Sequence, residues 1–154
     1  MTSNSYKAID MSPELDNQWK QEFTSAGVSS RSGALEESLI HINNAWNIIP
    51  EPKLMCGRVH ITLLRIIEIY KLMEKYDEGI ELADWVLEKS PMQEIDYPIF
   101  SVLKGTLLFD SGNKVEAYKC FDNAWVKAKS FGFKENQISY LKFYKEEKSK
   151  GIHT

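Results

Sequence analysis

A chain of 154 residues, 43% hydrophobic and 27% charged, is long enough for one domain with a real core and too apolar to be disordered. Its net charge of −3 gives no general pull toward nucleic acid, and no apolar run approaches the roughly 20 residues that span a bilayer, so neither a nucleic-acid nor a membrane partner is expected. The opening MTSNSYKAID lacks the basic start and apolar stretch of a secretory leader, which predicts a cytoplasmic location.

Residues 1–11 read as a flexible lead and residues 12–154 as a single helical domain. Ser12-Pro13 is a helix start, a Ser cap followed by Pro at the first helical position, and Leu15, Trp19 and Phe23 recur at helical spacing behind it. This helix is expected to stop near Thr24, because residues 24–33 (TSAGVSSRSG) are rich in Ser and Gly and show no apolar period, the pattern of a flexible loop. The next helix spans about 34–49, with Leu35, Leu39, Ile42, Trp46 and Ile49 on one face, and Pro50 and Pro52 end it.

A longer helix follows to about Lys75, striped by Val59, Leu63, Ile66, Tyr70 and Met73 and widened by Leu64 and Ile67. Asp77 reads as the cap of a helix presenting Ile80, Ala83 and Leu87, stopped by Ser90-Pro91. Asp96 and Pro98 open the helix that reaches Phe109. Ser111-Gly112-Asn113 is a turn in which Asn113 caps the following helix, with Glu116 three residues on and Ala117, Phe121, Ala124 and Ala128 facing inward. Gly132 suits the left-handed position after a helix end, and Gln137 to Lys148 forms a last amphipathic segment with Ile138, Leu141 and Tyr144. The fold class is therefore all-α, antiparallel helix pairs on short connectors.

Trp46, Trp85 and Trp125 recur at spacings of 39 and 40, the period of a two-helix repeat, and are expected in the core. Gly105, Ala117, Phe121 and Ala124 resemble the small, small, aromatic, small spacing of the tetratricopeptide repeat (TPR). Tyr70, Tyr76 and Pro91 resemble a second copy, and Leu35, Ser38, Ile42, Ala45 and Pro50 the second helix of a third. The resemblance implies a short right-handed superhelix with a C-terminal capping helix and a concave surface that grips protein segments. By position that surface holds Ile61, Leu64, Glu68, Lys71 and Leu72, then Ile99, Val102, Thr106, Phe109 and Asp110. By the same resemblance chaperone tails are not the expected partner, since Leu64, Glu68, Val102 and Thr106 stand where Lys, Arg and Asn would be needed. Tyr70 and Phe109 read equally as groove anchors or as packing between helices.

Charge is unevenly laid out. Glu74, Asp77, Glu78, Glu81, Asp84, Glu88, Glu94 and Asp96 face only Lys75 and Lys89, whereas the chain beyond Lys114 is rich in Lys. The segment Phe131-Gly132-Phe133 through Tyr140-Leu141-Lys142-Phe143-Tyr144 resembles the end of small helical-repeat immunity proteins of bacterial polymorphic-toxin systems. That resemblance implies binding of a cognate toxin domain, for which the acidic block is suited. The partner-facing set is Glu68, Lys71, Glu74, Asp77, Glu78, Glu81, Thr106, Phe109 and Asp110.

No catalytic constellation, metal site or cofactor is expected. Cys56 and Cys120 lie far apart outside any CxxC pattern and read as reduced, buried thiols; Cys56 and His60 stand four apart on an expected helix but lack further ligands. His41 and His153 complete no triad, and the glycines form no phosphate cradle. The expectation is a non-catalytic protein-binding module, foremost an immunity protein that neutralises a toxin. The alternative is a regulatory or scaffolding TPR adaptor for peptide segments.

Overall fold

A computed structural model of the chain describes residues 8–151. Seven α-helices and no strand occur among them. The chain divides into two compact units, Met1–Lys75 and Tyr76–Thr154. Of the expected flexible lead, residues 1–7 lie outside the described residues, as does His153. Ile9 is extended, and its N–H donates to the Met55 carbonyl at 2.6 Å.

In the first unit α1 (Pro13–Arg31) packs along α2 (Leu35–Ile48), and α2 on α3 (Val59–Leu72), with a 3-10 turn at Lys53–Met55. The Ser12 hydroxyl accepts from the Leu15 N–H at 3.2 Å and Pro13 opens the helix, as the cap pattern predicts. The loop expected at 24–33 is absent: α1 runs through it to Arg31. Ala26, Gly27 and Ser29 are buried against the neighbouring helices, and Ser38 Oγ donates to the Ala26 carbonyl at 2.6 Å. Small side chains let two backbones approach closely, so a stretch whose one large apolar residue, Val28, is exposed still offsets the entropy of its ordering through contact at the helix axis. The chain turns only at Gly33, whose φ is +84°.

The buried side of α2 is Ser38, Ile42 and Ala45, and that of α3 is Val59, Thr62, Leu63, Ile66, Ile67 and Ile69. Trp19 sits in this core. Its indole N–H donates to Thr62 Oγ1 at 2.9 Å, and that hydroxyl donates on to the Arg58 carbonyl at 2.7 Å.

Past α3, the Lys75 N–H reaches the Tyr70 carbonyl (2.8 Å) and the Glu74 N–H the Lys71 carbonyl (3.0 Å), with Glu74 at φ +59°. These are the two bonds of a Schellman turn. The same pair recurs at Gly33 (Ala34 to Ser29, Gly33 to Ser30) and at Gly112 (Asn113 to Leu108, Gly112 to Phe109). Two of the three left-handed positions are glycine. The third is an acid, which pays the steric cost that glycine avoids.

In the second unit α5 (Gln93–Asp110) packs on both α4 (Tyr76–Lys89) and α6 (Lys114–Ala128), and α7 (Ile138–Ser149) covers α6. Two starts differ from expectation. Helix α4 begins at Tyr76, so Asp77 falls inside its first turn, where its charge meets the positive end of the helix dipole. Helix α5 begins at Gln93, and Asp96 and Pro98 lie within it, because the Gln93 amide donates to the carbonyls of Leu87 and Ser90 and ties the start of α5 to the end of α4. Asn113 caps α6 as expected, accepting from the Glu116 N–H at 3.3 Å.

Gly105 lies against Phe121, at the heart of a cluster of Val102, Ala117, Tyr118, Phe121, Ala124 and Tyr144. The periodic tryptophans Trp46, Trp85 and Trp125 are half-buried rather than core; the fully buried residues beside them are Ala45, Val86 and Ala124. Where helices pack closely the smaller side chain takes the axis and the indole spreads over the rim. Gly132 does not take a left-handed conformation: Lys129 does, at φ +54°, and Gly132 is instead pressed on the Pro98 carbonyl, 2.4 Å from where a Cβ would stand. In α7 the Tyr144 ring is fully buried, while Ile138 is exposed.

Candidate partner-binding surfaces

Buried Gly79, Ala83 and Val86 define the inward side of α4, which leaves Asp77, Glu81, Asp84 and Glu88, at spacings of four, three and four, along its outward side, with Glu78 beside them. All five are exposed. Asp77 and Glu78 are favoured by the helix N-terminus, but like charges a turn apart oppose one another by about 0.2–0.5 kcal/mol per pair. Two lysines offset this: Lys104 Nζ of α5 lies 2.7 Å from Asp84, and Lys89 Nζ lies 3.6 Å from Glu88. Burial works to lower the pKa of Lys104, and the hydrogen bond and charge of Asp84, with the smaller influences of Cys120 and Glu116, outweigh it and leave the ammonium above its ordinary value. Glu94 is exposed and meets Lys127 at 3.4 Å.

The sequence-predicted set divides between the two units and differs in exposure. Glu74 is exposed in its turn, and Glu68 and Lys71 are half-buried on α3. Asp96 is no part of an acidic surface: it is buried and accepts from the Ser90 hydroxyl. Thr106 is fully buried and donates to the Leu103 carbonyl at 2.7 Å, so it reaches no partner, and Val102 is likewise core. Phe109 is half-buried, with Tyr140 and Phe143 of α7 on its ring at centroid distances of 5.4 and 4.9 Å and Lys114 above it. Asp110 is exposed and accepts from the Tyr140 hydroxyl at 2.8 Å. Among the α5 positions carried over from the repeat, the inner ones are consumed by the helix's own neighbours and the end ones by α7.

Other surfaces had no sequence motif. Arg58 forks onto both oxygens of Asp16 (2.8 and 3.1 Å) and lies over the Trp19 indole, holding the Asp16 carboxyl below its ordinary range. It borders a cleft of about 690 Å³ that also holds Lys20 and Asn17, and Lys20 meets the same carboxylate at 3.2 Å. Glu22 accepts from Asn44 and shares a hydrogen bond with His41, and these bonds, that of His41 first, lower its pKa. At the C-terminal cap of α6 and on α7, Lys129 and Lys145 lie over the Trp125 ring at 5.7 and 5.3 Å, and Lys148 lies over Tyr144.

Cys56 and His60 do not share a helical turn, because Cys56 precedes α3 in an extended conformation. Among the described residues no three His, Cys, Asp or Glu gather as metal ligands. Burial pushes the Cys120 thiol up, away from the reactive thiolate. No helix among the described residues is long and apolar enough to cross a membrane. The architecture is that of an all-helical protein. Comparison with family models, curated proteins and solved structures finds no match.

Proposed function

We propose that this chain is a non-catalytic protein-binding module acting in the cytoplasm, and that it binds and neutralises a toxin domain as an immunity protein does. The observation that carries the reading is the outward side of α4, where Asp77, Glu81, Asp84 and Glu88 stand exposed in one stripe with Glu78 exposed beside it. Such a stripe repels itself and adds nothing to the core. Its use is against a basic partner surface, where charge complementarity speeds encounter and rejects wrong partners. Glu74, in a turn whose two counterparts are Gly33 and Gly112, keeps a carboxylate where glycine fits the backbone better, in keeping with a role outside folding.

The close Gly105–Phe121 packing and the three recurring Schellman turns support a TPR-like repeat, and we propose that the helix pairs continue as a short right-handed superhelix with α7 as its cap. The adaptor reading, in which a groove takes short peptides, has less to rest on, since Thr106 is buried and Phe109 is covered by α7.

The test is co-expression with the product of the adjacent upstream reading frame. The native chain is expected to co-purify with it at fixed stoichiometry and relieve its toxicity, and Glu78→Lys with Glu81→Lys to lose both effects while staying folded. Absence of both co-purification and relief with the native chain removes the immunity reading. Reversible, micromolar binding of short peptides by calorimetry would favour the adaptor.

A further inference from the structure

The second unit carries two oppositely charged faces on different helices. Its acidic face is α4; its basic face is built where the end of α6 meets α7. There Lys129 and Lys145 lie over the two-ring surface of Trp125, and Lys142, Lys145 and Lys148 are exposed along α7 with Lys150 at its C-terminal cap, outnumbering the exposed Glu146 among them. Lys129 holds this place with its backbone in the left-handed region, φ +54° and ψ −127°, a conformation that costs a non-glycine residue energy. The two faces belong to opposite ends of the packing order, since α5 contacts both α4 and α6, and α7 contacts α6.

We propose that the basic face of α6 and α7 docks the acidic stripe of α4 of a second copy of this chain. Three observations choose that occupant. The charges are complementary: Asp77, Glu78 and Glu81 stand against Lys129, Lys142 and Lys145, while Asp84, Glu88, Lys148 and Lys150 have ion partners within the same unit. The lengths match: Asp77 to Glu88 extends about 16 Å and Lys142 to Lys150 about 12 Å at the rise of an α-helix. Trp125, half-buried under its lysines, supplies an aromatic surface of the kind that anchors interfaces. Because the surfaces differ, the contact is heterologous, and copies add head to tail into a ring or an open chain. The acidic stripe is the one assigned above to a basic partner, so self-association and partner capture compete for α4. The proposal itself is tested on the purified chain alone and stands or falls independently of any toxin.

Sedimentation velocity on the full chain across a wide concentration range, at low and at high salt, is the first measurement. Mass above the monomer is expected to grow with concentration at low salt and to vanish at high salt, where screening shrinks the Debye length to about 3 Å. Reversal of one face (Glu81→Lys with Glu88→Lys) or of the other (Lys142→Glu with Lys145→Glu) spares Asp84 and Lys148, whose ion pairs hold Lys104 and Asp122. Each variant is expected to be monomeric alone, the mixture of the two to associate, and the chain with both faces reversed to associate again. A native chain that is monomeric throughout, or association indifferent to salt, overturns the proposal even if the variants fail to fold. So does binding of a labelled single-stranded oligonucleotide that is lost in the Lys142→Glu, Lys145→Glu variant, which would give the basic face to nucleic acid.

Discussion

The ring of Phe121 lies so close over the backbone of Gly105 that a Cβ built there would stand 2.4 Å from Cε1 and 2.7 Å from Cδ1. Alanine in a helix interior is intrinsically better than glycine by about 1 kcal/mol, but forcing a buried ring aside costs about 1–3 kcal/mol. Gly105→Ala is therefore expected to lower stability in urea unfolding, and Phe121→Leu in the same chain to recover part of the loss. A gain in stability from Gly105→Ala would contradict the packing.

Trp19 and Thr62 are coupled through one buried hydrogen bond of 2.9 Å. Trp19→Phe leaves the Thr62 hydroxyl without its donor, and Thr62→Val leaves the indole N–H without its acceptor, each at a cost of about 1–3 kcal/mol. A double-mutant cycle should show a coupling near 1 kcal/mol; additive losses would mean that the bond contributes nothing.

Proline distinguishes a helix from a loop at residues 24–33. Val28 is exposed, yet its backbone lies within α1, so Val28→Pro is expected to cost about 3 kcal/mol or more by removing a helical hydrogen bond and crowding the preceding turn. Its tolerance in thermal unfolding would restore the loop.

Glu74 offers the opposite effect. With φ at +59° in a Schellman turn, Glu74→Gly is expected to raise the melting temperature through relief of about 1 kcal/mol of left-handed strain. On the reading proposed above it should also weaken partner binding. Higher stability with unchanged binding would confine Glu74 to the turn.

Stability should fall at both ends of the pH scale. The Asp16 carboxyl is lowered in the fold, first by its hydrogen bond to Arg58. Its contribution is therefore complete above the ordinary carboxylate range and is lost as pH falls through the folded pKa, and Asp16→Asn should flatten that limb. Burial, then hydrogen bonds to Asp110 and Asp122, raise the phenols of Tyr140 and Tyr144. As pH rises past the ordinary tyrosine value the unfolded chain ionises first, so stability declines there. Absorbance titration should show Tyr140 and Tyr144 ionising above the ordinary tyrosine range in the folded chain.

Most of the helices were legible because their signals are local. The Ser12 and Asn113 caps, the Pro50 stop and the apolar spacing of α2 and α3 act within a turn or two of themselves. Residues 24–33 misled for the same reason: Ala26, Gly27 and Ser29 have value only against the helices they meet, and composition alone reads them as breakers. The candidate surfaces divide likewise. The α4 stripe follows from spacing along one helix, whereas the lysines around Trp125 come from positions 129 and 145, brought together only by the packing of α7 on α6.

The sequence by itself determined an all-helical chain, the placing of Gly105 and Phe121 on neighbouring helices, and an acidic stretch beginning at Glu74. Tertiary structure alone decided which acids remain outside. It buried Asp96 beneath Ser90, sealed Thr106 in a core and laid α7 over Phe109. Helical periodicity says which residues share a side of one helix; whether that side meets water or another helix depends on contacts between residues far apart in the chain.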